Sequence, residues 1–193
     1  MRSAALAKRD PSGSPLPTAT AAFTVVVRVC PATVRDVAGI VAAAYGALDP
    51  TACTIVVGHE HDVIAGTGPV ASAALVHRRP ELSRRAMLRH WAVRHATVAA
   101  RVSGHRGYRQ VHADVARSRR AARRLGLPDA GIDGVALLFF ADLASLAAVR
   151  TSPEVARDAA EDEMRFLDHA TSFFVALEEV GAGSPIKNQT QYG

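Results

Sequence analysis

The order of strand and helix patterns from about Val70 to Val180 predicts an α+β fold, a ferredoxin-like βαββαβ unit. Apolar, β-branched runs alternate with helical patterns in that order along this stretch. A Gly-rich bend at residues 66–69 separates it from what precedes. The 193 residues are 49% hydrophobic, which is enough to bury a core.

Each element of the unit has its own sequence signal. Apolar or alternating runs predict strands over 70–76, 108–115, 134–140 and 171–180. Ser83 is a suitable N-cap for a helix that runs to about Val102. One stripe of this helix is formed by Met87, Trp91, His95 and Val98. Asp142 is predicted to start a short helix, and Ser152-Pro153 a further helix that ends near Asp168. Residues 117–127 are predicted to be a polar connection.

Residues 23–66 predict an additional N-terminal βαβ segment, whose likeness to the later unit indicates either a degenerate half-repeat or a chance similarity of Ala/Val-rich elements. It comprises a strand over 23–30, a helix over 33–48 and a strand over 53–57 that extends toward Val63. Residues 1–22 and 181–193 are poor in large apolar side chains and are predicted to be a flexible leader and a flexible tail.

In a βαββαβ unit both helices lie on one face of the sheet, which leaves the other apolar face uncovered. Homodimerisation is the expected solution, giving a dimeric α+β barrel that encloses a small-molecule pocket. The N-terminal segment is an alternative cover within the same chain. The sequence does not choose between them.

Composition argues against several functions. The net charge of +5 comes mainly from arginine, and the Arg-rich run over 117–124 has no neighbouring recognition motif, so we predict a solvated surface and no nucleic-acid partner. No apolar run is long enough to span a bilayer, which predicts a cytoplasmic protein without a membrane partner. The two cysteines, Cys30 and Cys53, match no zinc or redox spacing.

The first candidate site residues lie on the helix that follows Ser83. At 3.6 residues per turn, Trp91 and His95 share one face, and His90 lies about 100° round from Trp91. Imidazole titrates near neutral pH, so His95 is the first candidate for a general acid or base and His90 the second. The alternative is that these side chains only hold the helix onto the sheet.

The second set lies on the strand that begins near Tyr108. Because strand side chains alternate, Tyr108, Gln110 and His112 share one face, where a core strand would be apolar. Such a triplet could orient a phenol or carbonyl substrate and shuttle protons. Alternatively, the strand lies at a wet edge of the sheet.

Other polar residues carry weaker signals. His59 and His61 would share a strand face and could ligate a metal, but they lack a clear third ligand, so no metal site is predicted. Asp162, Glu163 and Asp168 are predicted to be solvated on a polar helix. No nucleotide-binding or haem-attachment motif is present, so no cofactor is predicted.

Three motifs carry a family resemblance: His90-Trp91-x-x-x-His95-Ala96, Gly107-Tyr108-x-Gln110-x-His112, and Asp162-Glu163-x-x-Phe166-x-Asp168. With them the chain resembles the EthD-like family of dimeric α+β-barrel proteins, named for a protein of bacterial ether degradation and found also in polyketide and aromatic-compound pathways. The resemblance implies the fold more strongly than the reaction, because one fold hosts many chemistries.

The resemblance and the polar residues together predict a cofactor-free acid/base enzyme of the lyase or cyclase type. It would dehydrate, cyclise or isomerise an apolar, aromatic or polyketide-like substrate in a secondary-metabolite or aromatic-compound pathway. The assigned residues are His95, His90, Tyr108 and His112 for catalysis and Trp91, Gln110, Phe140 and Phe166 for substrate binding. A cofactor-independent monooxygenase acting on a phenol and a non-catalytic ligand-binding or accessory protein remain the alternatives.

Overall fold

The structure is a computed structural model that describes residues 3–8, 25–28, 39, 49–101, 103–151 and 153–180. In these ranges one antiparallel sheet has the strand order β2-β1-β7-β4-β6-β5-β3. Its strands are β1 (Ser3–Lys8), β2 (Val25–Arg28), β3 (Gly58–Ile64), β4 (Val70–Val76), β5 (Gly107–Ala113), β6 (Gly134–Phe140) and β7 (Phe173–Val180).

The helices connect the strands of the predicted unit. They are α1 (Arg84–Arg89), a π-helical turn (His90–His95), α2 (Ala96–Ala99), α3 (Val115–Leu125), α4 (Leu143–Thr151) and α5 (Pro153–Glu163). A short 3₁₀ turn covers Pro50–Ala52. No helix among the described residues is both long and apolar enough to cross a membrane.

The predicted α+β, ferredoxin-like architecture is confirmed. Within the sheet, the four strands of the unit lie in the order β7-β4-β6-β5, so the last strand pairs with the first and the third lies between the first and second. Strand β3 adds to the edge beside β5, and β1 and β2 extend the sheet beyond β7. The dimeric barrel stays a prediction.

The two predicted helix caps are confirmed. The Ser83 side chain accepts a hydrogen bond from the Ala86 amide at 3.2 Å, and Asp142 accepts one from the Ser145 amide at 2.7 Å. Each cap satisfies a backbone donor that a helix N-terminus leaves free. The Ser83 cap starts the helical segment that leads into the π-helical turn.

Residues 117–127 were predicted to be a connection, which is wrong, because most of them lie in helix α3. Asp114 caps this helix by accepting the Arg117 amide at 3.0 Å, and Gly126 ends it in the left-handed conformation with φ of 64°. Its arginines are exposed, and Ser118, Ala121 and Ala122 are buried. The arginine-rich run is therefore the solvent face of an amphipathic helix.

The strand predicted over 53–57 with an extension toward Val63 is observed only in that extension, since pairing begins at Gly58. The backbone of Val57 is bound instead to the start of α3. Its amide donates to the Ser118 hydroxyl at 2.9 Å, and its carbonyl accepts from the Asp114 amide at 2.7 Å. These bonds occupy the groups that a strand partner would use.

Ser3–Lys8 lies within the predicted flexible leader, and that prediction is wrong for these six residues. They form β1, whose backbone pairs with β2 on one side and β7 on the other, so the ordering comes from main-chain hydrogen bonds and needs no large apolar side chains. The predicted helix over 33–48, the tail over 181–193 and the rest of the leader fall essentially outside the described residues.

Both faces of the sheet carry a cluster of apolar core residues. On the helix-covered face, Trp91, Tyr108 and Phe166 belong to one core cluster. On the opposite face, Leu137 and Leu177 belong to another. The helix-covered face positions the candidate site, because the polar strand residues and the histidine-bearing helix meet there.

Candidate active site

The π-helical turn brings two histidines to one partner. In an α-helix, five residues advance the direction by about 500°, which would leave His90 and His95 on different faces. Here the Ala96 amide bonds to the Trp91 carbonyl, five residues back, and this wider turn reduces the angle between residues five apart. His90 and His95 consequently both reach Asp162, an arrangement that regular α-helical spacing did not predict.

Asp162 is the centre of this cluster and is only 8% exposed. His90 Nε2 lies 2.9 Å and 3.0 Å from its two carboxylate oxygens, and His95 Nδ1 lies 3.0 Å from Oδ2. Because a carboxylate only accepts, each of these ring nitrogens donates its proton. The neutral His95 ring therefore keeps its lone pair on Nε2.

Glu163 lies at the lone-pair side of His95. Its Oε1 is 3.9 Å from His95 Nε2, and its Oε2 is 3.7 Å from His169 Nε2. Burial, reinforced by the negative charge of Asp162, raises the pKa of Glu163 to about 7. Burial lowers the pKa of His95, against the opposing hydrogen bond and charge of Asp162. The pKa values of Glu163 and His95, which lie side by side, thus both depart from their ordinary values.

The predicted polar strand face is buried under the helix and hydrogen-bonded. The Tyr108 hydroxyl accepts from Trp91 Nε1 at 3.0 Å and from Gln110 Nε2 at 2.9 Å. Gln110 Nε2 also donates to the Trp91 carbonyl at 3.0 Å. Burial raises the pKa of Tyr108, so its hydroxyl stays protonated, and the charge of Glu163 acts in the same direction. Tyr108 therefore connects this network electrostatically to Glu163.

His112 ends the network. The Trp91 carbonyl can only accept, which fixes the Gln110 amide nitrogen toward it and turns Oε1 toward His112. His112 Nε2, 3.0 Å away, must then be the donor, and the lone pair of its neutral ring is on Nδ1. Burial, with the charges of His61, Arg84 and His59, lowers the pKa of His112 to about 4.

The two phenylalanines assigned to substrate binding lie in different places. Phe166 is fully buried, and its ring centroid lies 4.9 Å from that of His90 and 5.1 Å from that of His95. Phe140 lies in a separate core cluster with Val70. The structure brings Phe166 to the histidines and places Phe140 apart from them.

Two residues of this cluster were missed as functional by sequence reasoning, which took Asp162 and Glu163 for solvated carboxylates. The structure corrects this, because Asp162 is buried against two histidines and Glu163 is mostly buried beside a third. Their place next to Phe166 in the third family motif was the available signal. No three His, Cys, Asp or Glu side chains in the described part of the chain are already arranged to hold a metal ion.

The raised pKa of Glu163 predicts a specific pH dependence of stability. In the folded protein the pKa of Glu163 is about 7, compared with an ordinary value of 4.5, so folding takes up a proton between these pH values. Stability contributed by the neutral carboxyl is present below pH 4.5 and is lost as the pH rises through 7. Between pH 5 and pH 8 the free energy of unfolding of the wild type should therefore fall by on the order of 2 kcal/mol more than that of Glu163→Gln.

Urea unfolding of both proteins at several pH values measures this difference. Glu161→Gln is the matched control, because Glu161 is exposed on the same helix. The lowered pKa of His95 makes stability change with pH in the opposite direction, but this contribution is common to all three proteins and cancels when they are compared. Parallel stability curves for wild type and Glu163→Gln would show that the pKa of Glu163 is ordinary.

The fold and this histidine–carboxylate cluster define an α+β, ferredoxin-like protein with a candidate acid/base site. A family model described as the EthD domain matches residues 79–170, which include the π turn, β5 and α5. This match, which covers just under half of the chain, confirms the resemblance of these residues to the EthD domain. Neither the curated proteins nor the solved structures gave a significant match.

Proposed function

We propose that this protein is a small-molecule enzyme that catalyses proton transfer, with Glu163 and His95 as the reacting acid/base pair. The observation that carries the proposal is the buried Asp162–His95 pair, whose free Nε2 faces Glu163. In this arrangement Asp162 is a positioning residue, because it fixes the His95 tautomer without facing the solvent side of the cluster. The same division of roles holds imidazoles in other acid/base sites.

Glu163 is the group through which a substrate exchanges protons. Its side chain is 23% exposed, whereas that of His95 is 7% exposed. A carboxyl with a pKa of about 7 is present in both protonation states at neutral pH, so it can accept a proton from one atom and return it to another. His95 Nε2 takes or supplies the proton behind it, and His169 lies on the other carboxylate oxygen.

An apolar substrate fits the surroundings of this pair. Met164, the residue after Glu163, exposes 55% of its surface, and Phe166 forms the buried wall against both histidines. Tyr108, kept neutral by burial, belongs to the hydrogen-bonded core beneath Trp91 that supports this helix. We therefore propose an aromatic or polyketide-like carbonyl compound and a dehydration, cyclisation or isomerisation that begins with removal of a proton from carbon.

The test is solvent-deuterium exchange at the α-carbon of a panel of aryl ketones, followed by NMR. We expect the wild-type protein to accelerate exchange of at least one ketone. Glu163→Gln should lower that rate by about 10²–10⁴-fold, the usual contribution of a general acid or base. Glu161→Gln, on the exposed side of the same helix, should leave it unchanged.

Three outcomes would contradict the proposal. Equal exchange rates for the Glu163→Gln and Glu161→Gln proteins would remove Glu163 from the reaction. Ketone binding in the NMR titration without exchange in the wild-type protein would favour a ligand-binding or accessory role. Oxygen consumption with a phenolic member of the panel would instead favour a cofactor-independent monooxygenase.

A further inference from the structure

Three histidines project from one face of the β3–β5 strand pair. In the register of this pair His59 lies directly opposite His112, and His61 lies opposite Gln110. Residues opposite each other share a face, and strand residues two apart do so as well, so the three imidazoles are neighbours. The ring centroids of His61 and His112 are 4.5 Å apart.

We propose that His59, His61 and His112 form a binding site for a divalent transition metal ion of the zinc type, completed by water. Sequence reasoning lacked a third ligand for the pair on β3, and the strand register supplies it from β5. Three imidazoles with an open fourth position are a zinc ligand set with room for a water molecule. Nitrogen ligands of this kind favour zinc, copper or nickel over magnesium or calcium.

The hydrogen bond of His112 prepares it to be a ligand. Its Nε2 proton is donated to Gln110 Oε1, which leaves Nδ1 free to coordinate. Metal-binding histidines commonly donate their other ring proton to a fixed oxygen in this way, and that bond sets both the tautomer and the ring orientation. Gln110 is itself held by the Trp91 carbonyl, so the bond belongs to a rigid core.

The remaining ligands are free to adapt. His59 and His61 are exposed on an edge strand, so their rings can turn toward His112 as a metal ion enters from solvent. In the described conformation the three side chains do not yet converge on a metal position. The positive charge of Arg84 also acts on His112, and Arg84 itself lies 3.7 Å from the Asp133 carboxylate.

Titration of tag-free full-length protein with Zn²⁺ and with Co²⁺ tests the site. We expect one equivalent to bind, with a Co²⁺ absorption spectrum typical of tetrahedral nitrogen coordination. His59→Ala and His61→Ala should each weaken binding by about tenfold or more and change that spectrum. Because both residues are exposed, neither variant should disturb folding, which circular dichroism checks.

His77→Ala is the matched control, because His77 lies outside the cluster and contacts the Ala130 carbonyl. It should bind metal like the wild type. Absence of stoichiometric binding, or equal losses in the His59→Ala and His77→Ala proteins, would overturn the proposal. The result is independent of the proposed proton transfer, because the titration measures metal binding whereas the exchange assay measures proton exchange that depends on Glu163.

Discussion

Replacing Trp91 with alanine is expected to lower the free energy of unfolding by about 3–5 kcal/mol, as large-to-small substitutions of buried aromatic residues do. Trp91 is 2% exposed, and its ring lies so close to Gly134 that a Cβ at that position would collide with it. The truncation leaves a cavity and removes the Nε1 donor from the buried Tyr108 hydroxyl. Urea or thermal unfolding measures the effect.

Two further variants separate packing from hydrogen bonding at Trp91. Trp91→Phe keeps much of the ring volume but loses the bond to Tyr108, so we expect a smaller loss of about 1–2 kcal/mol. Val93→Ala changes an exposed side chain of the same helical turn and should be nearly neutral. If Trp91→Ala were no more destabilising than Val93→Ala, the description of this core would be wrong.

Asp162→Ala is expected to cost about 3–5 kcal/mol, because it removes the shared acceptor of two buried or half-buried histidines. His90 and His95 would be left with ring donors that face an apolar environment beside Phe166. Unsatisfied buried donors carry their full desolvation penalty. Chemical denaturation at neutral pH gives the loss directly.

The same position offers a readout that packing alone would not change. The charge of Asp162 contributes to the raised pKa of Glu163, so Asp162→Asn should move that pKa downward in an NMR titration of the Glu163 side chain. Asp158→Ala, on an exposed position of the same helix, is the control for both measurements. An unchanged Glu163 pKa in the Asn variant would show that burial alone sets it.

Sequence periodicity predicted the parts of this molecule that depend on local patterns. Alternation placed Tyr108, Gln110 and His112 on one face, and in the structure Gln110 is hydrogen-bonded to both Tyr108 and His112 on that face. The N-caps Ser83 and Asp142 fixed two helix starts because their signal is contained in three residues. Strand order followed from the βαββαβ pattern, which allows few arrangements.

The missed features depend on contacts between distant parts of the chain. Val57 looked like part of a strand, and only its bonds to Ser118 and Asp114 exclude it. Glu163 looked solvated, because nothing in a polar helix shows that its partner is a histidine 68 positions earlier. The π turn was missed because the sequence around Trp91 fits a regular helix equally well.

The π turn also restricts how this chain can change its length. It accommodates one residue more than an α-helical turn, so a single deletion there, such as that of Ala92, would let regular helix re-form with His90 and His95 four residues, about 400°, apart and still on one face. A single insertion in the turn would instead rotate the following helix by about 100° and move His95 away from Asp162. Single deletions are therefore expected to be tolerated better than single insertions between His90 and His95.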